Sequence, residues 1–421
     1  MKHNLKFALL ALLVVMSVVL SACGPAPTQA PPAATEAPAA TEAPAATETI
    51  KVGAMYPLTG DLAKLGEENK NGLQLAIDEI NAAGGIKSKG GAKIELVWAD
   101  SQGKPEVGIS EVTRLAEQEK VVAMIGAYQS GVTTPSTQEA ERLGLPFIVS
   151  MAVSDKITER GFKYTFRICP KASWYAKDQV SFVKDLKDLA GLDIKKVALL
   201  HEDTDFGEST AAGQKKYLAD AGIEMALEVK YSASAADLTT EVAKVKAANP
   251  DAVLTVTYLN DSVLIARARE ALGMTNIPFI DAAGGTVDPE FIKQLGVTAE
   301  GWFTEIEFTK YAAGADVLNN AYNAKFGVDI TGNGAYAYQA GYVVADALER
   351  AASTDRTAVR DAIAKTDMPS GPKMILPTDH IFFGSDGQNP NAPLFIVQVQ
   401  GGELIPVWPA KYAAKPVQLT K

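Results

Sequence analysis

Two successive runs of alternating strand and helix patterns constrain this chain more than any other feature. The first run begins at residues 50–56 and the second follows residues 166–170. In each run, short apolar segments alternate with longer segments whose apolar residues recur every three or four positions. Such alternation predicts right-handed βαβ units on parallel sheets. We therefore predict an α/β chain with two doubly wound lobes in tandem.

The segment 121–155 indicates where such a chain would hold a ligand. Its pattern predicts a buried strand, a polar turn at residues 126–131, a helix, a second strand and a polar loop at residues 150–155. Both loops follow strand carboxyl ends, where open α/β sheets bind ligands, and the helix directs its free amides there. We therefore predict a small-anion site that includes the hydroxyls of Ser130 and Ser154. An ordinary βα unit with polar loops, in which Ser130 only caps the helix, is the alternative.

The first 22 residues have the features of a secretory signal peptide. Lys2 and Lys6 precede an apolar run at residues 7–20, which is short for a membrane span. The sequence LSAC at residues 20–23 resembles the bacterial lipobox. That resemblance implies cleavage after residue 22, lipidation of Cys23 and export to a membrane surface that faces the periplasm or the cell exterior. A cleaved signal followed by an incidental cysteine is the alternative.

Residues 23–49 are predicted to form a tether behind the lipidated cysteine. The segment is dominated by Pro, Ala, Thr and Glu, and the unit APAATE recurs in it. It contains no aromatic or large aliphatic side chain before Ile50, so it cannot bury enough surface to offset its chain entropy. We expect a disordered segment that proline stiffens toward an extended conformation.

Charge and motif content exclude several classes of function. Removing the signal peptide, which carries Lys2 and Lys6 and no acid, changes the formal net charge from −10 to −12. An acidic surface argues against nucleic acid as a partner. The chain has no Gly-x-Ser-x-Gly elbow, no phosphate-binding loop and no metal-spaced histidine pair. We therefore predict no enzyme activity, no cofactor and no metal.

Short motifs that extend along the chain occur in the order and at the spacing of one known family. They include GAMYPLTG at 53–60, INAAGGI at 80–86, DSQ at 100–102, LPF at 145–147, TFR at 165–167 and ARE at 268–270. By these motifs the chain resembles the leucine/isoleucine/valine-binding proteins of branched-chain amino acid ABC importers, which are type I periplasmic binding proteins. The resemblance implies two Rossmann-like, doubly wound lobes joined by three hinge crossovers.

The resemblance also implies domain limits and partners. Lobe 1 would comprise residues 50–168 and 308–385, and lobe 2 residues 169–307 and 386–410, followed by a tail at 411–421. Members of the family close on one small molecule and present it to a membrane permease. The expected partners are therefore an amino acid or a related carboxylate, the permease subunits of an ABC importer, and the membrane through the lipid on Cys23. The protein itself is expected to be a monomer.

The family's binding residues can be assigned to positions in this chain. A substrate carboxylate would be bound by Ser130 and by the loop that contains Ala152 and Ser154. Neighbouring wall positions on lobe 1 correspond to Leu65, Tyr128 and Gln129. On lobe 2 the family's two tyrosines correspond to Phe206, which lacks the hydroxyl, and Tyr258. Trp174, just past the first crossover, could form part of the cleft wall or pack between the lobes.

One departure from the family pattern bears on the ligand. The glutamate that binds a substrate ammonium corresponds here to Ala283. A buried ammonium without a carboxylate is costly, and Asp281 or Asp205 are the candidates to replace the glutamate. A carboxylic acid without an ammonium is therefore a serious alternative to an amino acid.

Two other functional classes remain open at this point. A sensor with the same fold would pass its ligand-bound state to a receptor rather than to a permease. A secreted hydrolase is the less favoured alternative, suggested only by Glu202 and Asp205 near His201.

Overall fold

The computed structural model describes residues 49–311, 315–370 and 374–419. The predicted signal peptide, Cys23 and the tether up to residue 48 lie outside the described residues. Thr49, which the predicted tether includes, is the first residue of strand β1 (Thr49–Tyr56). No helix within the described residues is long and apolar enough to cross a membrane.

The first lobe is built on a five-stranded parallel sheet in the order β2-β1-β3-β4-β5. The later strands are β2 (Lys93–Asp100), β3 (Ala123–Gly126), β4 (Phe147–Val149) and β5 (Thr165–Arg167). Helices α1 (Ala63–Ala82), α2 (Pro105–Glu117) and α3 (Ser130–Arg142) alternate with them. Strands β3, β4 and β5 are buried along their whole length, as expected for a parallel sheet that is covered on both faces.

The second lobe contains a seven-stranded sheet in the order β14-β13-β10-β9-β8-β6-β7. Its strands in the central part of the chain are β6 (Lys196–Glu202), β7 (Glu224–Tyr231), β8 (Ala252–Val256), β9 (Phe279–Asp281) and β10 (Phe303–Ile306). The accompanying helices are α4 (Ala172–Ala190), α5 (Asp205–Ala221), α6 (Thr239–Ala247), α7 (Leu259–Ala271) and α8 (Pro289–Leu295).

The chain then returns to the first lobe before it ends in the second. Helices α9 (Ala315–Phe326), α10 (Gly332–Arg350) and α11 (Arg356–Ala364) are followed by a small antiparallel pair, β11 (Asp367–Pro369) and β12 (His380–Phe382). The alternating pattern of residues 394–399 and 403–407 around Gly401 and Gly402 predicts a β-hairpin. It is present as β13 (Phe395–Gln400) and β14 (Glu403–Trp408), and β13 pairs antiparallel with β10. Residues after it remain on this sheet, since the Gln418 N–H donates to Gln398 Oε1 over 2.9 Å.

Helix α10 is held against α1 by an unusually close backbone approach. A Cβ atom on Gly72 of α1 would lie 2.0 Å from the carbonyl oxygen of Gly334 in α10, so only glycine fits at position 72. Both helices turn apolar faces to this contact, with Leu73 and Ala76 of α1 fully buried. Because of this packing, the first turn of α10 lies beside α1 and faces the space between the lobes.

Three crossovers connect the lobes, after β5, after β10 and before β13. The first and third lie side by side, because Asn389 Nδ2 donates to Ile168 O over 3.0 Å and Gln388 Nε2 donates to Cys169 O over 2.8 Å. The boundary predicted from the sequence, at 385/386, lies just before these two residues. The complete set of lobe limits stays a prediction.

Two helices near the cleft begin earlier than their sequence patterns suggest. Helix α3 starts at Ser130 instead of residue 132, because the carbonyl of Gln129 already accepts from the Thr133 N–H over 2.9 Å. The sequence pattern predicts a polar loop at residues 202–209 before the next helix, but α5 starts at Asp205, where the Thr204 hydroxyl accepts from the Phe206 N–H. Ser130 and Phe206 therefore occupy first turns of helices rather than the loops before them.

Candidate ligand-binding cleft

A cavity of about 850 Å³ lies between the two lobes, within the size range of small-molecule sites. Residues of β-strand ends, helix first turns and the second crossover line it from both sides. Its walls combine aromatic and aliphatic side chains with a small number of polar groups. The cavity is therefore suited to a ligand that is largely apolar and has charged or polar ends.

The first-lobe wall follows the two loops that the sequence singled out. Tyr128 and Ser130 line the cavity after β3, and Met151 and Val153 line it after β4. Tyr128 has a φ of 94°, a strained backbone region for a residue with a side chain. The Ser130 Oγ accepts a hydrogen bond from the Ser154 N–H over 3.1 Å, which joins the two loops.

The hydroxyl of Ser130 is well placed to bind an anion. Since its oxygen accepts from Ser154, its own proton is free to be donated into the cleft. Ser130 is also the first residue of α3, whose N-terminal end carries a partial positive charge. These features are what a ligand carboxylate requires.

Arg167 supports this wall from behind, and its role was not predicted from the sequence. Its side chain has no exposed area. The guanidinium donates to the carbonyls of Ala152 over 3.3 Å and Ser154 over 2.7 Å, and to Thr158 Oγ1 over 2.9 Å. Its Nε donates to Gln388 Oε1 over 2.6 Å. A buried arginine thus connects the loop after β4 to the third crossover.

The second-lobe wall is aromatic. Phe206 and Tyr258 lie in the first turn of α5 and just before α7, and their ring centroids are 5.6 Å apart. Ala283 and Gly284 complete this wall after β9. Ala283 has a φ of 57° and its methyl group offers no charge to a ligand. These four residues can contact an apolar or aromatic body but supply no carboxylate. The second-lobe acids that line the cavity, Glu290 and Glu403, accept from Lys64 and from the Tyr311 hydroxyl.

The structure brings five of the predicted site residues together and separates the others from the cavity lining. The lining includes Tyr128, Ser130, Phe206, Tyr258 and Ala283. The remaining predicted residues lie nearby but outside the lining. Leu65 belongs to the first-lobe core, Trp174 is partly buried against that core, and Gln129 is the residue before α3. The Ala152 carbonyl accepts from Arg167, and the Ser154 N–H donates to Ser130.

Asp281 also lies outside the cavity lining. It is fully buried at the end of β9, where its carboxylate accepts from the hydroxyls of Thr255 over 2.7 Å, Thr257 over 3.0 Å and Thr286 over 2.8 Å. Burial raises the pKa of Asp281 to about 7. The threonines occupy its oxygens, so in this arrangement Asp281 does not face a ligand. Asp205 is likewise engaged elsewhere, since Lys156 donates to it over 3.1 Å.

Several carboxylates line the cavity, and two of them, Glu68 and Glu307, are enclosed by neighbouring groups although neither was predicted as a site residue. Glu68 of α1 accepts from Thr331 Oγ1 over 2.7 Å and Asn333 Nδ2 over 3.0 Å. Glu307 follows β10 in the second crossover and is only 3% exposed. Burial raises the pKa of each to about 7. An acid on a helix and an acid at a strand end offer no spacing pattern, so a lone sequence contains no signal for either.

Ion pairs and hydrogen bonds join the lobes across the cleft. Lys64 of α1 contacts Glu290 over 3.0 Å and Asp288 over 3.7 Å on the second lobe. The Asp155 N–H, in the first lobe, donates to Ser209 Oγ of α5 over 3.0 Å. The lobes are therefore in contact around the cavity, as in a closed form of a two-lobed protein. Among the described residues, no group of three or more metal-ligating side chains is arranged to hold a metal ion.

Comparisons with known proteins agree with this architecture. A family model described as periplasmic binding protein matches residues 49–403. The chain is 31% identical to the Leu/Ile/Val-binding protein homolog 7 of Brucella melitensis over 381 residues, which cover 88% of this chain and 94% of that protein. It is 30% identical to the Leu/Ile/Val-binding protein homolog 8 of Brucella abortus, with 88% and 93% covered.

Solved structures share the fold. The branched-chain amino acid transporter substrate binding protein LivJ of Streptococcus pneumoniae, in complex with isoleucine, is 26% identical with a TM-score of 0.74, covering 85% of this chain and 98% of that chain. A solute binding protein of R. palustris in complex with benzoate is 21% identical with a TM-score of 0.73, covering 89% and 98%, which shows a common fold. The predicted fold class is confirmed. The chain therefore belongs to the periplasmic binding protein family and groups within it with the Leu/Ile/Val-binding protein homologues.

Proposed function

We propose that this protein is the extracytoplasmic solute-binding component of an ABC importer and captures a small amino acid or related carboxylate between its lobes. The observation that carries the proposal is the pairing of an anion site at Ser130 with the aromatic wall of Phe206 and Tyr258 across one cavity. The relatives that match nearly the whole chain support it, because they are Leu/Ile/Val-binding protein homologues.

The ligand carboxylate is bound by the Ser130 hydroxyl and the first turn of α3. The apolar body of the ligand lies between Met151 and Val153 on one lobe and the two aromatic rings on the other. Ala152 and Ser154 act through the loop that Arg167 holds in place, with the Ser154 amide already bonded to Ser130.

Closure of the two lobes is the step that couples ligand binding to transport. A ligand that contacts both walls binds the closed form more tightly than the open form and so shifts the equilibrium toward closure. The closed form is then the form that the permease subunits recognise. The protein acts as a monomer in this scheme and catalyses no reaction.

The proposed location follows from the N-terminal sequence. We propose export by the signal peptide and attachment to the membrane through a lipid on Cys23, with the segment up to residue 48 as the tether. Mass spectrometry of the membrane fraction tests this. A mature protein that retains an unmodified Cys23 would refute the lipid anchor but would not bear on the proposed ligand binding.

Isothermal titration of the mature protein with amino acids and organic acids tests the binding function. Ser130→Ala should weaken binding of a carboxylate ligand roughly 10-fold or more, because a charge-assisted hydrogen bond contributes about 1.5–3 kcal/mol. Ser110→Ala is the matched control, since Ser110 is exposed on α2 and bonds only to Glu106 O over 2.9 Å. A protein that binds no such solute, or an S130A variant that binds as well as the wild type, would contradict the proposal.

A further inference from the structure

The second crossover carries a buried carboxylate without a cationic partner at the edge of the cleft. Glu307 lines the cavity and is 3% exposed. The two lysines that line the same cavity pair with other acids, Lys64 with Glu290 over 3.0 Å and Lys310 with Asp329 over 3.4 Å. Among the described residues, no lysine or arginine offsets the charge of Glu307.

The groups around Glu307 do not neutralise it. Its Oε2 would lie 3.3 Å from a Cβ atom on Gly332, so it packs against the first residue of α10. A hydrogen bond from the Tyr175 hydroxyl offsets only part of the effect of burial on Glu307, and the Tyr336 hydroxyl is buried nearby without a hydrogen-bond partner among the described residues. Glu68 reaches the same helix end through Thr331. A helix N-terminus supplies about half a positive charge, which is less than these two carboxylates carry when ionised.

The part of the opposite wall that Phe206, Tyr258 and Ala283 form carries no acid for a cationic ligand. Ala283 takes the position at which the resemblance places a glutamate, and the carboxylate of Asp281 is bonded to three threonine hydroxyls. A buried ammonium without a carboxylate costs several kcal/mol, and so does a buried carboxylate without a cation. One ion pair between ligand and protein would resolve both costs.

We propose that Glu307 binds a positively charged nitrogen of the ligand, so that the ligand class is an amino-bearing carboxylate and not a plain organic acid. The carboxylate of that ligand contacts Ser130, and its nitrogen points toward the first turn of α10. The inference rests on the proposed function and specifies which ligands the same cleft accepts.

Proton linkage gives the proposal a second readout. Burial raises the pKa of Glu307 to about 7, and a bound cation would lower it. Binding should therefore release about half a proton at pH 7, and affinity should rise about 10-fold between pH 6 and pH 8. The other titratable groups facing Glu307 are Tyr175 from α4, Tyr336 from α10, Tyr128 after β3, Cys169, Glu305 and Glu68.

The groups near Glu307 differ in their pKa values. Burial raises the pKa of Cys169 to about 12, so its thiol stays neutral near pH 7, and burial raises the pKa of the Glu305 carboxyl well above its ordinary value. The tyrosine pKa values are likewise raised. Glu68 has a pKa of about 7. Proton release must therefore be compared between the wild type and Glu307→Gln, which keeps Glu68.

The experiment compares matched probes. Each pair consists of an amino acid and the same acid without its amino group, for example leucine with 4-methylpentanoate or 6-aminohexanoate with hexanoate. A thermal-shift screen of such pairs, drawn from the standard amino acids and ω-amino acids, selects the pair that binds most tightly. Isothermal titration then measures that pair on the mature wild type, E307Q and E67Q. Glu67 lines the same cavity and precedes Glu68 on α1, but it is exposed, so E67Q is the matched control.

We expect the wild type and E67Q to bind the amino-bearing probe about 30-fold more tightly than its deaminated partner, as a buried ion pair allows. In E307Q this preference should fall below about 3-fold, with the deaminated probe unaffected. Glu307→Asp, which keeps the charge, should retain part of the preference and guards against a folding artefact in E307Q.

Three results would overturn the inference alone: a deaminated acid as the tightest probe, an unchanged preference in E307Q, or equal weakening of both probes in a folded E307Q. Absence of binding by every probe would instead overturn the proposed function and the inference with it.

Discussion

Replacing Arg167 with methionine should destabilise the protein more than any surface change of the same kind. The buried guanidinium donates to four acceptors, on Ala152, Ser154, Thr158 and Gln388. Methionine fills a similar volume but donates no hydrogen bond, so Thr158 Oγ1 and Gln388 Oε1 lose their donor inside the protein. The carbonyls of Ser154 and Ala152 lose a charged donor and keep the Ile157 N–H and the Cys169 thiol, respectively. The loop after β4 also loses its connection to the third crossover.

The magnitude follows from the bonds that are lost. Each of the two acceptors left without a donor costs about 1–3 kcal/mol, and each of the two carbonyls that loses its bond to the charged guanidinium costs about 1.5–3 kcal/mol. Relief from burying the guanidinium charge offsets several kcal/mol of the total. The net loss in the free energy of unfolding is therefore about 3–5 kcal/mol, which corresponds to a fall in Tm of roughly 6–10 °C at about 2 °C per kcal/mol.

Urea unfolding and thermal melting of the mature protein measure this loss. Arg142→Met is the control, because Arg142 is exposed and pairs only with Glu139, and exposed ion pairs contribute less than about 1 kcal/mol. Arg167→Met should also weaken ligand binding, since Met151 and Val153 of the supported loop line the cleft. A variant within about 1 kcal/mol of the wild type would refute the assignment of Arg167 as the support of this wall.

Two further predictions concern closure and pH. Lys64→Ala should weaken ligand binding about 2- to 5-fold at low salt, because it removes the ion pairs to Glu290 and Asp288 between the lobes. Lys293→Ala is the control and should not weaken binding, since it breaks a pair to Glu290 within α8. Equal effects of the two changes in titration calorimetry would argue against a role of Lys64 in closure. Burial raises the pKa of Asp281 in the folded protein to about 7, whereas in the unfolded chain this carboxyl loses its proton near pH 4. Between about pH 4 and pH 7 the folded state therefore keeps a proton that the unfolded state has lost. The free energy of unfolding should fall in this range by up to about 1.4 kcal/mol per pH unit as the pH rises. Asp281→Asn should reduce that slope in urea titrations, and an unchanged slope would show that Asp281 is ionised in the folded state.

Most of the fold could be predicted from the sequence because the burial of each helix and strand is visible in the local pattern of apolar residues. Strands that are buried on both faces appear as short apolar runs, as in β3, and helices such as α1 repeat apolar residues at three- and four-residue spacing. The first residues of helices were less predictable. Ser130 and Phe206 were placed in loops, because polar first turns interrupt the apolar pattern before the helical hydrogen bonds begin.

The site was predictable in part. Ser130, Tyr128, Phe206, Tyr258 and Ala283 follow strands on the edge where both lobes face the cleft, and all five line the cavity. The sequence could not show which way a side chain turns at such an edge. Asp281 ends β9 just before Ala283, yet three threonine hydroxyls hold its carboxylate away from the cavity.

By itself, the sequence determined the two-lobed α/β organisation, the placement of polar loops after β3 and β4, and an alanine at position 283. Each of these depends on residues that are close together along the chain. Only the tertiary structure decided which charges the cleft contains, because Glu68, Glu307 and the start of α10 come from separate segments. They converge since α1 and α10 pack through Gly72 and Gly334 while the second crossover passes beside them. Burial at that convergence makes the carboxylate of Glu307 a candidate partner for a cation, which the position of Glu307 in the sequence did not indicate.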